Sequence, residues 1–178
     1  MVEDVRELDL PPDVVKLLIE VWGIERLHPP QAEAMPIALS GKNLLLAIPT
    51  ASGKSLVAYL AILQRLLVDS PGSRAFYLVP LKALAAEKVE ELRQAGDLLG
   101  LSVGMAIGDR SGETVSLDEA DIIVATSEKF DSMMRNKNDF LSQVSIVVAD
   151  EVHLIHDRSR GPTMEVNLAR VKHERPEA

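Results

Sequence analysis

NLLLAIPTASGKSLVAYLAILQRLL, residues 43–67, decides the fold. It opens on an apolar run suited to a short strand and turns through PTASGK. It then continues as a stretch in which Leu56, Tyr59, Leu60, Leu63, Leu66 and Leu67 recur at helical spacing, the mark of a helix with a wide buried stripe. Downstream, residues 75–79 (AFYLV), 101–107 (LSVGMAI), 121–125 (DIIVA) and 145–149 (SIVVA) read as further strands. Residues 81–99 and 127–135 read as helices, the second with Ser127 as its cap. Apolar β-branched runs separated by helices are what a parallel sheet covered on both faces requires, so the expected class is α/β with a doubly wound, mostly parallel sheet. Upstream, residues 12–21 form a short amphipathic helix entered through two prolines, and a second helix runs from about Pro30 to near Gly41. No repeat, low-complexity tract or linker divides the chain.

Composition narrows the function classes. The 178 residues, 47% hydrophobic and 26% charged, suit one packed α/β domain and exclude a disordered tail. With 19 basic and 27 acidic side chains the net charge is −8, so bulk attraction to a phosphate backbone is not available. Nucleic-acid contact would rest on local basic groups and backbone amides. The absence of cysteine excludes disulfides, thiol nucleophiles and cysteine-ligated zinc. No apolar run reaches bilayer length and the acidic MVEDVRELDL start is unlike a secretory signal, so a soluble, cytoplasmic protein is expected.

Two motifs carry chemistry. Gly53-Lys54-Ser55 follows the first apolar run and opens a helix, where unsatisfied amides and the helix dipole attract anions. Gly53 lets the backbone approach phosphate oxygens, Lys54 can meet β- and γ-phosphates, and the Ser55 hydroxyl can ligate Mg²⁺. Ile48 stands where the usual first glycine of such a loop would be, and a bare GKS also suits an ordinary helix start. The second motif is Asp150-Glu151-Val152-His153, delivered at the carboxyl end of the 145–149 strand, where open α/β sheets bind ligands. Asp150 suits Mg²⁺ coordination, either directly or through a metal-bound water, and Glu151 suits deprotonation of an attacking water. A solvated acidic loop is the plain alternative. A transition-metal site of Asp150, Glu151, His153 and His156 is a rival without a recognised ligand spacing.

IPTASGKS followed by DEVH about a hundred residues later resembles motifs I and II of superfamily 2 DExH-box helicases. YLVPLKALAAEKVEEL (residues 77–92) resembles their motif Ia, ATSEKFDSMMR (125–135) motif Ib, HPPQAEAM (28–35) the glutamine motif, and HLIHDRSRGPTMEV (153–166) the segment after motif II. The chain is most similar to the Ski-like group, particularly its archaeal DNA-repair helicases, over about residues 10–172. The resemblance implies a RecA-like ATP-binding domain at 41–178 preceded by a helical segment at 1–40, and an archaeal source. It implies ATP and Mg²⁺ as cofactors, with Gln31 reading the adenine edge. Thr50, Ala51, Ser52, Gly53, Lys54 and Ser55 would wrap the phosphates, and Lys54, Asp150 and Glu151 would be catalytic. Ser55 and Asp150 would ligate the metal, and His153 would couple nucleotide state to a partner domain. Pro80, Leu81, Lys82 and Ala83, together with Thr126, Ser127, Glu128 and Lys129, would lie along a nucleic-acid single strand. Trp22, Met133 and Met134 read as packing residues.

Relatives of this kind carry a Ser-Ala-Thr strand between the phosphate-loop strand and the DEVH strand, then a second RecA-like domain that supplies arginines to the γ-phosphate. After Arg170 this chain reads VKHERPEA. The resemblance thus implies an incomplete first motor domain whose sheet lacks its middle strand. The implied function is the ATP-binding part of a 3′–5′ DNA helicase of repair or stalled forks. Its partners would be single-stranded or forked DNA, a second RecA-like domain and accessory domains, with no membrane. An exosome-type RNA helicase, a nucleotide-dependent binding module that never translocates, and a metal-dependent hydrolase remain alternatives.

Overall fold

The computed structural model describes residues 2–49, 52–108, 110–112, 116–136 and 142–178. The chain forms two compact units, Met1–Pro71 and Gly72–Ala178.

The first unit is helical. A 3₁₀ turn, Val5–Glu7, is capped by Asp4, whose carboxylate accepts the Arg6 amide at 2.9 Å. Helix α1 (Pro12–Lys16) starts on proline, whose missing N–H costs nothing at a first turn, and runs on as a π-turn through Leu17–Val21. Val14, Leu17 and Leu18 are its buried face. Helix α2 (Pro29–Leu39) packs along α3 (Lys54–Gln64), which continues as a π-turn over Arg65–Asp69. Of the expected stripe, Leu56, Tyr59, Leu60, Leu63 and Leu66 are buried and Leu67 is half-buried, and Trp22 packs tilted on Tyr59 at 5.9 Å between ring centroids.

The apolar run at residues 43–48, expected as a strand, is neither strand nor helix, and Leu45 is 76% exposed. A strand holds its extended form through ladder hydrogen bonds and burial. The resemblance places the neighbour of this run on the Ser-Ala-Thr strand, which the sequence does not contain. An apolar run in which only Ile48 is β-branched does not make a strand without a ladder partner.

The second unit is a sheet with helices on both faces. Its strands are β1 (Arg74–Val79), β2 (Val103–Ile107), β3 (Arg110–Gly112), β4 (Ile122–Thr126) and β5 (Val144–Ala149), in the order β3-β2-β4-β1-β5. All neighbours are parallel except β3, which pairs antiparallel with β2. Helix α4 (Lys82–Leu99) links β1 to β2, and α5 (Ser127–Arg135) lies between β4 and β5. These crossovers run in opposite directions along the sheet, so a right-handed path puts the two helices on opposite faces. On the α5 face, Phe76, Leu78, Ile123, Ala125, Phe130 and Met133 form one core. Phe76 and Phe130 meet edge-on at 4.8 Å, a contact that adds about 0.5–1.5 kcal/mol to the area they bury. β1 and β4 are buried almost throughout, whereas β5 is half-buried beyond Val144.

Side chains tie down the amino ends of the strands. The Arg74 guanidinium donates to the carbonyls of Leu117 (3.0 Å), Ala120 (3.1 Å) and Asp118, and to Gln143 Oε1 (3.0 Å). A last helix, α6 (Gly161–Glu174), donates through Asn167 Nδ2 to the Ser127 carbonyl at 2.8 Å, and Arg175, which caps its carboxyl end, donates to the Val144 carbonyl. It begins on Gly161 because any Cβ there would collide with the Ile155 carbonyl. The cap of α5 is Thr126, not Ser127: Thr126 Oγ1 accepts the Lys129 amide at 3.4 Å, while Ser127 is already the first helical residue.

Candidate functional site

In the first unit, the residue before α3 is Gly53, in the left-handed region at φ 71°, ψ 36°. Glycine reaches that conformation without penalty, and the Ser52 amide donates to the Pro49 carbonyl at 3.2 Å to close the turn. No side chain caps α3, so its first amides are open to an anion, the geometry at which a phosphate is held. Ser52, Lys54 and Ser55 are half-buried beside it. Thr50 and Ala51, expected to share in wrapping phosphate, lie outside the described residues.

Gln31 is joined directly to this loop. It is 3% exposed, its Oε1 accepts the His28 amide at 2.8 Å, and its Nε2 donates to the Gly53 carbonyl at 3.0 Å. A Cβ on Gly53 would run into Gln31 Nε2, a second reason for glycine at 53. A glutamine amide has two donors and two acceptor lone pairs. These bonds use one of each and leave one donor and one acceptor.

In the second unit, the carboxyl ends of three adjacent parallel strands carry the remaining expected residues. Leu78 of β1 is in register with Ala149 of β5, and Val79 of β1 with Thr126 of β4. Asp150-Glu151, Pro80–Ala83 and Thr126–Lys129 therefore leave the same end of the sheet in neighbouring positions. The Asp150 amide donates to the Leu78 carbonyl at 2.9 Å. Its carboxylate is held twice, Oδ1 accepting the Glu151 amide at 2.8 Å and Oδ2 accepting the Tyr77 hydroxyl at 3.1 Å. Each oxygen keeps a lone pair, and hard oxygen donors on a half-buried carboxylate suit Mg²⁺. Glu151 adopts φ 50°, ψ 41°, among the described residues the one positive φ outside glycine. Its Oε2 lies 3.1 Å from His153 Nδ1, and the His153 side chain is 71% exposed.

The two loops expected to lie along a nucleic-acid strand differ. Leu81, Lys82 and Ala83 are exposed at the start of α4, and the Lys82 ammonium lies over Gly108 at the end of β2. On the other loop, Glu128 is exposed and Lys129 half-buried, but Thr126 and Ser127 are each 4% exposed. The Thr126 hydroxyl is committed to its cap. The Ser127 hydroxyl and Asn167 Oδ1 are buried without a hydrogen-bond partner among the described residues. Asp150, Glu151, His153 and His156 do not assemble a metal centre: among the described residues no three His, Asp or Glu side chains gather to hold one ion.

Sequence reasoning passed over Tyr77 and Asn167. A tyrosine in an aliphatic buried strand needs a partner for its hydroxyl, and that requirement was the available signal. Asn167 sits on α6, which the sequence reading did not anticipate.

A mostly parallel sheet with helices on both faces defines a RecA-like α/β fold. The chain belongs to the DEAD/DEAH box helicase family, whose model matches residues 28–178. It is 50% identical over 94% of its length to the ATP-dependent DNA helicase Hel308 of Methanocella arvoryzae. Identity is 49% over 85% of the chain with the Hel308 of Pyrococcus abyssi, and 51% over 86% with that of Thermococcus kodakarensis. The chain spans 23%, 21% and 14% of those relatives' own lengths. In fold it matches a Saccharomyces cerevisiae Dbp5 variant bound to RNA and ADP BeF3, with TM-score 0.76, 20% identity, and 95% of this chain on 43% of that one. Among the described residues no helix is long and apolar enough to cross a membrane.

Proposed function

We propose that this chain is the ATP-binding first motor domain of an ATP-dependent 3′–5′ DNA helicase acting in DNA repair or at stalled forks. Residues 1–40 would serve as the helical segment bearing the glutamine motif and 41–178 as the ATP-binding domain. The observation that carries the reading is the hydrogen bond between Gln31 and the Gly53 carbonyl, which fixes a base-reading amide against the turn that opens α3. DNA is favoured over RNA by the Hel308 relatives, which are named DNA helicases.

The open amides of α3 and Lys54 bind and neutralise phosphate oxygens, and Gln31 selects adenine. Ser55 and Asp150 would hold Mg²⁺, which when bound offsets the charge of the β- and γ-phosphates. Glu151 orients water and takes its proton. Lys82 and Lys129, with the amides beside them, hold a strand by its phosphates without reading bases, which reconciles nucleic-acid binding with a net charge of −8. His153, tied to Glu151, couples the state of the nucleotide to a partner domain.

In the intact gene product, Lys54→Ala should abolish nucleotide binding or turnover, while Glu151→Gln should keep binding and stop hydrolysis stimulated by single-stranded DNA. Turnover that survives Lys54→Ala overturns the reading. Stimulation by DNA without strand displacement favours a binding module that does not translocate. Assayed by itself, the 178-residue chain should bind ATP weakly and not unwind duplex.

A further inference from the structure

We infer that the Tyr77 hydroxyl is the positioning group for Asp150. Tyr77 stands mid-strand on β1 and is 1% exposed, flanked by the aliphatic and aromatic side chains of Ala75, Phe76, Leu78 and Val79. A phenol at such a place must have its O–H satisfied, and a phenylalanine would fill the same space without that demand. The O–H reaches Asp150 Oδ2 at 3.1 Å, one strand away at the end of β5.

The consequence is geometric. A carboxylate on a strand end can rotate about two bonds, and each rotamer aims its lone pairs elsewhere. Here the Glu151 amide fixes Oδ1 and the Tyr77 hydroxyl fixes Oδ2, so the carboxylate plane is set from both ends. The neighbouring residue of the same strand, Leu78, holds the Asp150 main chain through its carbonyl. β1, the strand beside β5 in the sheet, thus orients both backbone and side chain of the residue that meets the metal. Groups that orient a ligand in this way are commonly worth 10–100-fold in metal affinity.

This inference rests on the proposed function, because it needs Asp150 to meet Mg²⁺. The test uses the intact gene product as wild type, Tyr77→Phe and Asp150→Ala. The affinity for a non-hydrolysable ATP analogue is measured with saturating Mg²⁺ and again in EDTA, alongside the melting temperature. The ratio of the two affinities reports the metal alone. Tyr77→Phe should lower that ratio on the order of tenfold and leave the EDTA affinity unchanged. An unchanged ratio in Tyr77→Phe, with a collapsed ratio in Asp150→Ala, overturns the positioning role and leaves the proposed function standing. Affinities that fall together in both conditions, or a fall explained by a lower melting temperature, also overturn it, since they show a packing role only. An unchanged ratio in Asp150→Ala removes Asp150 from the metal and with it the reading beneath.

Discussion

Glu151 carries two demands that pull against each other. Its carboxylate is the proposed base, yet its backbone sits in the left-handed region, which costs a residue with a Cβ about 1–2 kcal/mol. The Asp150 carboxylate helps to hold it there by accepting the Glu151 amide. Glycine at this position would relieve the strain and lose the chemistry. We expect Glu151→Gly to raise unfolding free energy by about 1 kcal/mol, the left-handed penalty less the extra chain entropy of glycine. Urea titration checks the gain, and ATPase assay should show no turnover; a less stable variant would contradict the strain. At this scale the sequence picks out residues whose type suits a stated chemistry, and their roles belong to the proposal. Gln31, Gly53, Lys54, Asp150 and Glu151 were all named from pattern or resemblance. Tyr77 was not, because a single hydroxyl bond between adjacent strands leaves no periodic trace.

Helix α6 and the 3₁₀ turn before it (Val152–His156) show how an element is held by its ends. Asp157, at the junction, accepts the Ser159 hydroxyl at 2.6 Å and the amides of Ser159 and Arg160 at 2.9 and 3.0 Å. The Ser159 hydroxyl first, and then the two amides, hold the Asp157 carboxyl below the ordinary aspartate range. A depressed folded value means that the turn is stabilised above the unfolded pKa of about 3.9 and that this support is lost as pH falls through the folded value. Lowering the pH below about 4 should therefore loosen the junction of the turn and α6. In Asp157→Asn that acid-side change should be absent, as followed by amide signals of residues 157–161. Identical acid responses in both proteins would argue against it. The helices α3, α4 and α5 were readable because apolar residues recur on one face. α6 was missed since its buried set is small, Gly161, Met164 and Asn167, and one of these is polar. The cap of α5 was misplaced by one residue, which adjacent Thr126 and Ser127 invite since both can cap a helix.

Over the whole molecule, the mostly parallel sheet followed from alternating strands and helices and four of its strands were placed within a residue or two, while its strand order was not read from the sequence. The reading failed at residues 43–48, where composition alone suggested a strand and the ladder needed to hold one was lacking. On the sheet itself, β5 ends the strand order with β1 as its paired neighbour. If a strand lies beside β5 in the longer protein, amide exchange along Val144–Ala149 should be slower there than in the 178-residue chain. Equal exchange would show that nothing covers this edge. The last strand of an open sheet is also able to pair with copies of itself. Kept at high concentration, the short chain should grow into oligomers and then precipitate, and its shelf life rather than its chemistry will limit how it can be handled.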